Sequence, residues 1–244
     1  MDTDTSQKLI DLNHQFYQTF AQPFSVTRQR LQPGVRRLLE TIPVEASLLD
    51  LGCGNGEIWR TLAARGQHGA YVGVDFSPGL LQAARERAAA SGDTGQSIFL
   101  QADLTRPDWV AALTSSPVDA ALAFAVLHHL PGTTRRVQFL SQVRGLLAPY
   151  GRLYHSNWQF LNSERLRARI QPWEMIGLTQ EQVDAGDYLL DWRQGGYGLR
   201  YVHHFTEAEL AELARASGFQ IRETFYSDGE GGRLSIYQTW EPLE

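Results

Sequence analysis

Apolar residues recur at three- and four-residue spacing near the start of the chain, at Leu9, Leu12, Phe16 and Phe20 and then at Leu31, Val35, Leu38 and Leu39. That period puts each set on one face of a helix. Pro23 and Pro33 punctuate the stretch, because proline interrupts a helix interior. From Ser47 the pattern changes. Short apolar runs at 47–51, 70–75, 97–102, 118–124 and 151–156 read as strands, and helical segments are predicted between them at 55–65, 78–90, 107–113 and 133–147. Pro78 suits a first helical position, where its missing N–H is not needed. Strands alternating with helices mean parallel βαβ units, hence an α/β sheet covered on both faces.

Past residue 156 this rhythm breaks. Residues 157–204 carry Trp158, Trp173, Trp192, several Tyr and the run Arg165, Arg167, Arg169. The stretch is too long for an ordinary loop and predicts an inserted lid. Alternation resumes at Thr206-Glu207-Ala208-Glu209, a capping-box start, with a helix to Ser217 and Gly218 as its stop. Two last strands, 219–226 and 234–239, are joined by a Gly-rich connector short enough only for an antiparallel hairpin. The expected organisation is one domain over 1–244. It comprises an N-terminal helical cap (1–45), a cofactor-binding core (46–156), a substrate lid (157–204) and a last helix with terminal hairpin (205–244).

Composition narrows the function classes. The 244 residues carry a formal net charge of −5, which argues against a surface built mainly to hold a nucleic-acid backbone, though a local basic patch remains open. Cys53 is the only cysteine, so neither a disulfide within the chain nor a cysteine-cluster metal site is expected. No stretch reaches the roughly eighteen apolar residues of a membrane span, and a cytoplasmic protein with no membrane partner is the expectation.

The candidate chemistry lies in Leu49-Asp50-Leu51-Gly52-Cys53-Gly54-Asn55-Gly56. Glycines let the backbone turn sharply out of a strand and let a ligand approach where a Cβ would clash. The following helix offers free N–H groups and a positive dipole end. The spacing is not that of a dinucleotide site: Gly56 comes one place early and Glu57 takes the position of the third glycine. Asp50 would disfavour a pyrophosphate and suits a ligand bearing an ammonium and a sulfonium. Asp75 ends the second strand, where a carboxylate can accept from both ribose hydroxyls. Asp103 ends the third, placed to accept from an exocyclic amine.

These segments, with Val74-Asp75-Phe76-Ser77, Gln101-Ala102-Asp103-Leu104 and Val126-Leu127-His128-His129-Leu130, resemble the ordered motifs of class I S-adenosylmethionine-dependent methyltransferases. The resemblance implies a Rossmann-like seven-stranded, mostly parallel sheet of order 3-2-1-4-5-7-6. It further implies that Gly52, Cys53, Gly54 and Asn55 lie under the methionine part of the cofactor. Asp75, with Phe76 and Ser77, would hold the ribose, and Asp103 with Leu104 would bracket the adenine. Phe124, Ala125 and His128 would line the cofactor beside the target. Residues 16–17 and 23–28 near the start, and 198–210 near the end, are similar to the methyltransferases that esterify carboxymethyl groups on wobble uridines of tRNA. That second likeness implies that Tyr17 and Arg28 close over the cofactor.

The acceptor is left open by the residues. A hydroxyl or amine needs a base, and His128 and His203 are the candidates; a carboxylate needs only a cation, for which Arg193 and Arg200 are candidates. Trp158, Trp173, Trp192 and Tyr197 are candidate walls of a dry site. The expected activity is methyl transfer to an O or N atom of a small molecule or modified nucleoside, with tRNA possible as a partner. The rival readings are a nicotinamide-dependent oxidoreductase, which the glycine spacing disfavours, and a non-catalytic adenosylmethionine-binding module.

Overall fold

The computed structural model describes residues 1–21, 30–93, 95–113 and 117–243. Helices α1 (Thr3–Thr19) and α2 (Pro33–Leu39) precede β1 (Leu48–Leu51), α3 (Glu57–Ala64), β2 (Tyr71–Asp75), α4 (Pro78–Ala90) and β3 (Ser97–Gln101). Next come β4 (Val118–Phe124), α5 (Thr133–Leu146) and β5 (Leu147–Trp158), then α6 (Glu164–Arg167), β6 (Ile170–Gln171), β7 (Asp187–Trp192) and β8 (Gly198–His203). The chain ends with α7 (Glu207–Ala216), β9 (Phe219–Ser227) and β10 (Ser235–Pro242).

Seven strands form one sheet in the order β3-β2-β1-β4-β5-β10-β9. Counted within that sheet alone, this is 3-2-1-4-5-7-6. β1 pairs in parallel with β2 and β4, while β10 runs antiparallel to β5 and β9. Strands buried on both faces explain the continuous apolar runs. One face packs Leu49, Leu51, Val74, Leu127, Phe139 and Leu153. The other packs Leu48, Trp59, Tyr71, Leu122 and Tyr154. Among the described residues no helix is long and apolar enough to cross a membrane.

Three local differences from the expected elements have physical reasons. α3 starts at Glu57, since Gly52, Gly54 and Gly56 hold φ of 73°, 54° and 75°, a left-handed backbone that cannot continue into a helix. Segment 107–113 makes only a 3-10 turn at Trp109–Ala112, held where buried Trp109 donates to Gln142 Oε1 at 2.7 Å. β5 outruns its expected ends because β4 pairs with it from Leu147 and β10 as far as Trp158.

The insertion folds as a second, antiparallel sheet of order β6-β7-β8. Alternation along its strands sends Leu189 and Tyr201 to a cluster with Leu9 of α1, and Leu190 and Val202 to a cluster with Phe160 and Leu166. A buried ionic group joins this sheet to α5 and α7. Arg136, 1% exposed, donates to Leu130 O at 2.8 Å, Tyr201 Oη at 2.9 Å and Glu209 Oε1 at 3.3 Å, and lies 3.6 Å from Asp187 Oδ1. Thr206 caps α7 by accepting from Glu209 N, but the Glu209 carboxylate turns to this group instead of closing the capping box.

Candidate cofactor site

The tight turn after β1 is fastened to β2 by its backbone. Gly52 N and Cys53 N both donate to Val74 O, at 2.8 and 3.0 Å. Asp75 completes the fastening, its Oδ2 accepting from Gly54 N and its Oδ1 from Ser77 N, each at 2.9 Å. Burial pushes the Asp75 carboxyl above its usual range against those backbone bonds. A Cβ on Gly54 would meet no atom within 4 Å, so that glycine faces open space. The space is a cleft of ≈ 150 Å³ across the strand tips, floored by Gly52, Gly54, Asp75, Phe76, Asp103 and Leu104. A recess of ≈ 120 Å³ continues past the turn along Cys53 and Asn55 to Arg30 and Gln32.

Four expected positions need correction. Asp50 does not face the cleft: Leu49 and Leu51 take one side of β1, so Asp50 points to the other and accepts from the buried hydroxyl of Tyr71. Burial, reinforced by the Asp75 charge and countered by Tyr71, pushes its carboxyl up to about 7. Ser77 lines neither space; buried, it caps α4 by accepting from Leu80 N. His203 lies inside the ionic joint, its Nδ1 2.6 Å from Asp187 and its Nε2 2.8 Å from Glu209. His128 is not in the cofactor cleft but lines the adjoining second cavity beside Phe124 and Ala125. It is buried, and its Nδ1 accepts from Trp158 N at 3.4 Å. Arg28 lies outside the described residues.

Helix α1 roofs the cleft with Ile10, Asn13, His14 and Tyr17, the i, i+3, i+4, i+7 stripe of a helix. His14 stacks on Phe76 with centroids 4.7 Å apart, and its Nε2 is 3.4 Å from Asp103 Oδ2. Burial disfavours the charged form of Asp103, but its bonds with His14 and Thr105 outweigh that and hold the carboxyl below its usual range. Tyr17 Oη is 2.7 Å from His129 Nε2, and His129 Nδ1 is 3.2 Å from Tyr201 O. A carbonyl only accepts, so the contact with Tyr201 O calls for a proton on Nδ1, and in the neutral ring Nε2 then accepts from Tyr17. Asn13 fastens the helix to β8 by donating to Tyr201 O and accepting from Tyr201 N. Sequence reasoning missed His14, for which its spacing to Ile10 and Tyr17 was the one available signal, and preferred His128 to His129.

Phe124, Ala125 and His129 also wall a second cavity, of ≈ 280 Å³. Ala125, at φ 58°, is held there by donating to Ser156 O at 3.1 Å. Arg200 lines this cavity, 6% exposed, its guanidinium 4.8 Å from the Trp158 ring, 5.3 Å from Phe16 and 5.6 Å from Trp192. Arg165 and Arg169 line it as well. It also holds two acids: Asp228 accepts from Gly34 N and Tyr237 Oη, and Asp191 accepts from Arg193 through Oδ2 while its buried Oδ1 has no partner among the described residues. Arg193 is therefore an exposed partner of Asp191. Trp173 packs beneath α1, away from the cavity. His155, a core residue, is driven down to about 3 by burial.

Residues 49–153 match a family model described as a methyltransferase domain. A tRNA (carboxymethyluridine(34)-5-O)-methyltransferase of Mus musculus is 30% identical over 163 residues, covering 64% of this chain and 22% of that protein. A tRNA (carboxymethyluridine(34)-5-O)-methyltransferase of Schizosaccharomyces pombe is 25% identical over 224 residues, covering 87% and 90%. A trans-aconitate 2-methyltransferase of Methylobacterium nodulans is 35% identical over 134 residues, covering 54% and 46%. The chain thus spans about a fifth of the mouse relative's length and most of the fission-yeast relative's. A SAM-dependent methyltransferase of Methanosarcina mazei shares the fold, with a TM-score of 0.66 at 22% identity over 87% of this chain and 98% of that one.

Proposed function

We propose that this chain, whose residues 49–153 match a methyltransferase-domain model and whose fold is shared with a SAM-dependent methyltransferase, methylates a carboxylate oxygen of a small acid or modified nucleoside. One observation supports this acceptor above others. The cavity that shares Phe124, Ala125 and His129 with the cofactor cleft is lined by three arginines against two acids, of which Asp228 is tied to Gly34 N and Tyr237 Oη and Asp191 pairs through one oxygen with Arg193.

The residues of the cleft fit the cofactor. Gly54 leaves room for the methionine end to pass close to the backbone. Asp75 spends one bond per oxygen on the backbone and keeps lone pairs for ribose hydroxyls. Phe76, Leu104 and Asp103 bound the adenine end, with Asp103 accepting from its amine. Bound S-adenosylmethionine supplies an electrophilic methyl on a sulfonium. Arg200 holds the acceptor carboxylate through charge-assisted bonds, and the rings around it fix the guanidinium plane. Phe124, Ala125 and His129 align the two reactants, which is the larger part of the task in an in-line displacement. A carboxylate is already ionised at neutral pH, so neither His128 nor His129 has a proton to remove. His129 instead positions Tyr17.

Arg200→Lys and Arg200→Met test this reading. Loss of the buried fork lowers kcat/KM for a carboxylic acceptor by about 30-fold or more, while calorimetric affinity for S-adenosylhomocysteine stays within about twofold. Turnover unchanged in both variants would remove Arg200 from the site. A carboxymethylated uridine in RNA is the second reading, favoured by the near-complete coverage of the fission-yeast relative. Methyl esterification of a 5-carboxymethyluridine-containing anticodon stem-loop, but of no free acid, would select it.

A further inference from the structure

Arg165, Arg167 and Arg169 look equivalent in the sequence, but the fold separates them. Ala168 N closes a single helical turn onto Glu164 O, so Arg165 and Arg169, four apart, share a side. Arg167 turns away and donates to Leu161 O at 2.6 Å. Only Arg165 and Arg169 line the arginine cavity. Exposure along it grades from Arg200, buried, through half-buried Arg169 to exposed Arg165. The cations therefore run from the inner wall to the mouth.

Neither Arg165 nor Arg169 makes an ion pair among the described residues, although Arg37, Arg60, Arg87, Arg106, Arg152 and Arg222 each have a carboxylate. Two like charges four residues apart repel, and beside a partly enclosed cavity they are screened less than in open water. A bound anion removes that cost and accepts from both forks.

We propose that Arg165 and Arg169 form a second anion subsite at the mouth of the acceptor cavity, so that the acceptor carries a second anionic group, carboxylate or phosphate, besides the one methylated. The inference rests on the carboxylate reading above, with Arg200 taking the reacting group. The same chemistry has two sources: a further carboxylate of a polyacid, or the phosphate of a nucleotide.

Two matched pairs of probes decide, measured by calorimetry on protein saturated with S-adenosylhomocysteine, which has no methyl to transfer. One pair is butyrate and glutarate; the other is 5-carboxymethyluridine and its 5′-monophosphate. In at least one pair the doubly charged member binds about tenfold tighter, the effect of one or two charge-assisted bonds at a half-exposed site. The pair that shows the gap identifies the source. In the Arg165→Ala/Arg169→Ala protein the gap falls to about twofold or less, whereas in Arg167→Ala, which removes one charge from the same segment on its outward side, it persists. No gap in either pair, a gap surviving in the double variant, or one lost equally in Arg167→Ala overturns the subsite. A gap of the expected kind with no methyl transfer to any acid leaves the subsite standing and sinks the ester-forming reading instead.

Discussion

Asp50 illustrates how much a single side chain's direction decides. It sits two residues before a turn that faces ligand, yet strand alternation turns it under the sheet against Tyr71. Its carboxyl is pushed up to about 7, first by burial. The folded chain therefore holds a proton that the unfolded chain has released over the range between the ordinary carboxylate value and about 7. The stability this contributes is complete below the unfolded pKa and is lost as pH rises through the folded one. Asp50→Asn keeps an acceptor for the Tyr71 hydroxyl and has nothing to titrate. Urea unfolding should show the variant gaining about 2 kcal/mol on wild type when pH is raised from about 5 to 8. A difference independent of pH would show that Asp50 titrates normally. Gly54 behaves otherwise, since its environment is open and its constraint is the backbone. Gly54→Val meets no wall but adopts φ near 54° with a β-branched side chain, costing about 1–2 kcal/mol. It also fills the cleft, so S-adenosylhomocysteine should bind at least about 100-fold more weakly to a protein that remains folded; retained affinity would move the cofactor elsewhere.

At the scale of elements, what could be read beforehand followed the rigidity of the rule involved. The glycine turn and the strands around it were legible because left-handed backbone and two-sided burial leave few residue choices. The apolar stripe of α1 was legible for the same reason. Of its other working face only Tyr17 was read, and that from resemblance, since Asn13 and His14 look like an ordinary solvated side until α1 is laid across the strand tips. Choosing between His128 and His129 was beyond sequence, because the short 3-10 turn Leu127–His129 alone decides which ring reaches Tyr17. His203 depended on partners distant in the chain, Asp187 and Glu209, and the separate directions of Arg165, Arg167 and Arg169 depended on the single helical turn that carries them. The order of the main sheet followed from resemblance, whereas the second sheet had no comparable motif and read only as a long interruption. The latch of α1 yields a prediction at this scale. Asn13→Ala removes both bonds to the Tyr201 backbone and leaves a buried N–H without a partner, at a cost of about 2 kcal/mol. Because α1 roofs the cleft, affinity for S-adenosylhomocysteine should fall together with stability, seen as a weaker thermal shift on ligand addition. A stability loss with unchanged affinity would mean that the roof plays no part in binding.

The whole molecule is two sheets with both cavities between them: the main sheet and α1 bound the first cleft, and the second sheet brings Arg200 to the second cavity, the proposed acceptor site. Their alignment depends on the joint around Arg136 of α5, whose side-chain partners come from β7, β8 and α7. A buried ionic group of this kind is weak evidence for net stability, since desolvation offsets most of the attraction, but breaking it is costly. Arg136→Leu keeps much of the volume and strands Asp187 and Glu209 without their cation, at about 3–5 kcal/mol. That loss should be local. Amides of β7 and β8 should exchange with deuterium faster, while those of β1 and β4, deep in the main sheet, keep their protection relative to the global unfolding limit. Cofactor affinity should change less than acceptor affinity, because the glycine turn and Asp75 belong to the main sheet and Arg200 does not. Faster exchange spread evenly over both sheets would instead mean that they unfold as one cooperative unit, and the joint would then be only one contact among many in a single core.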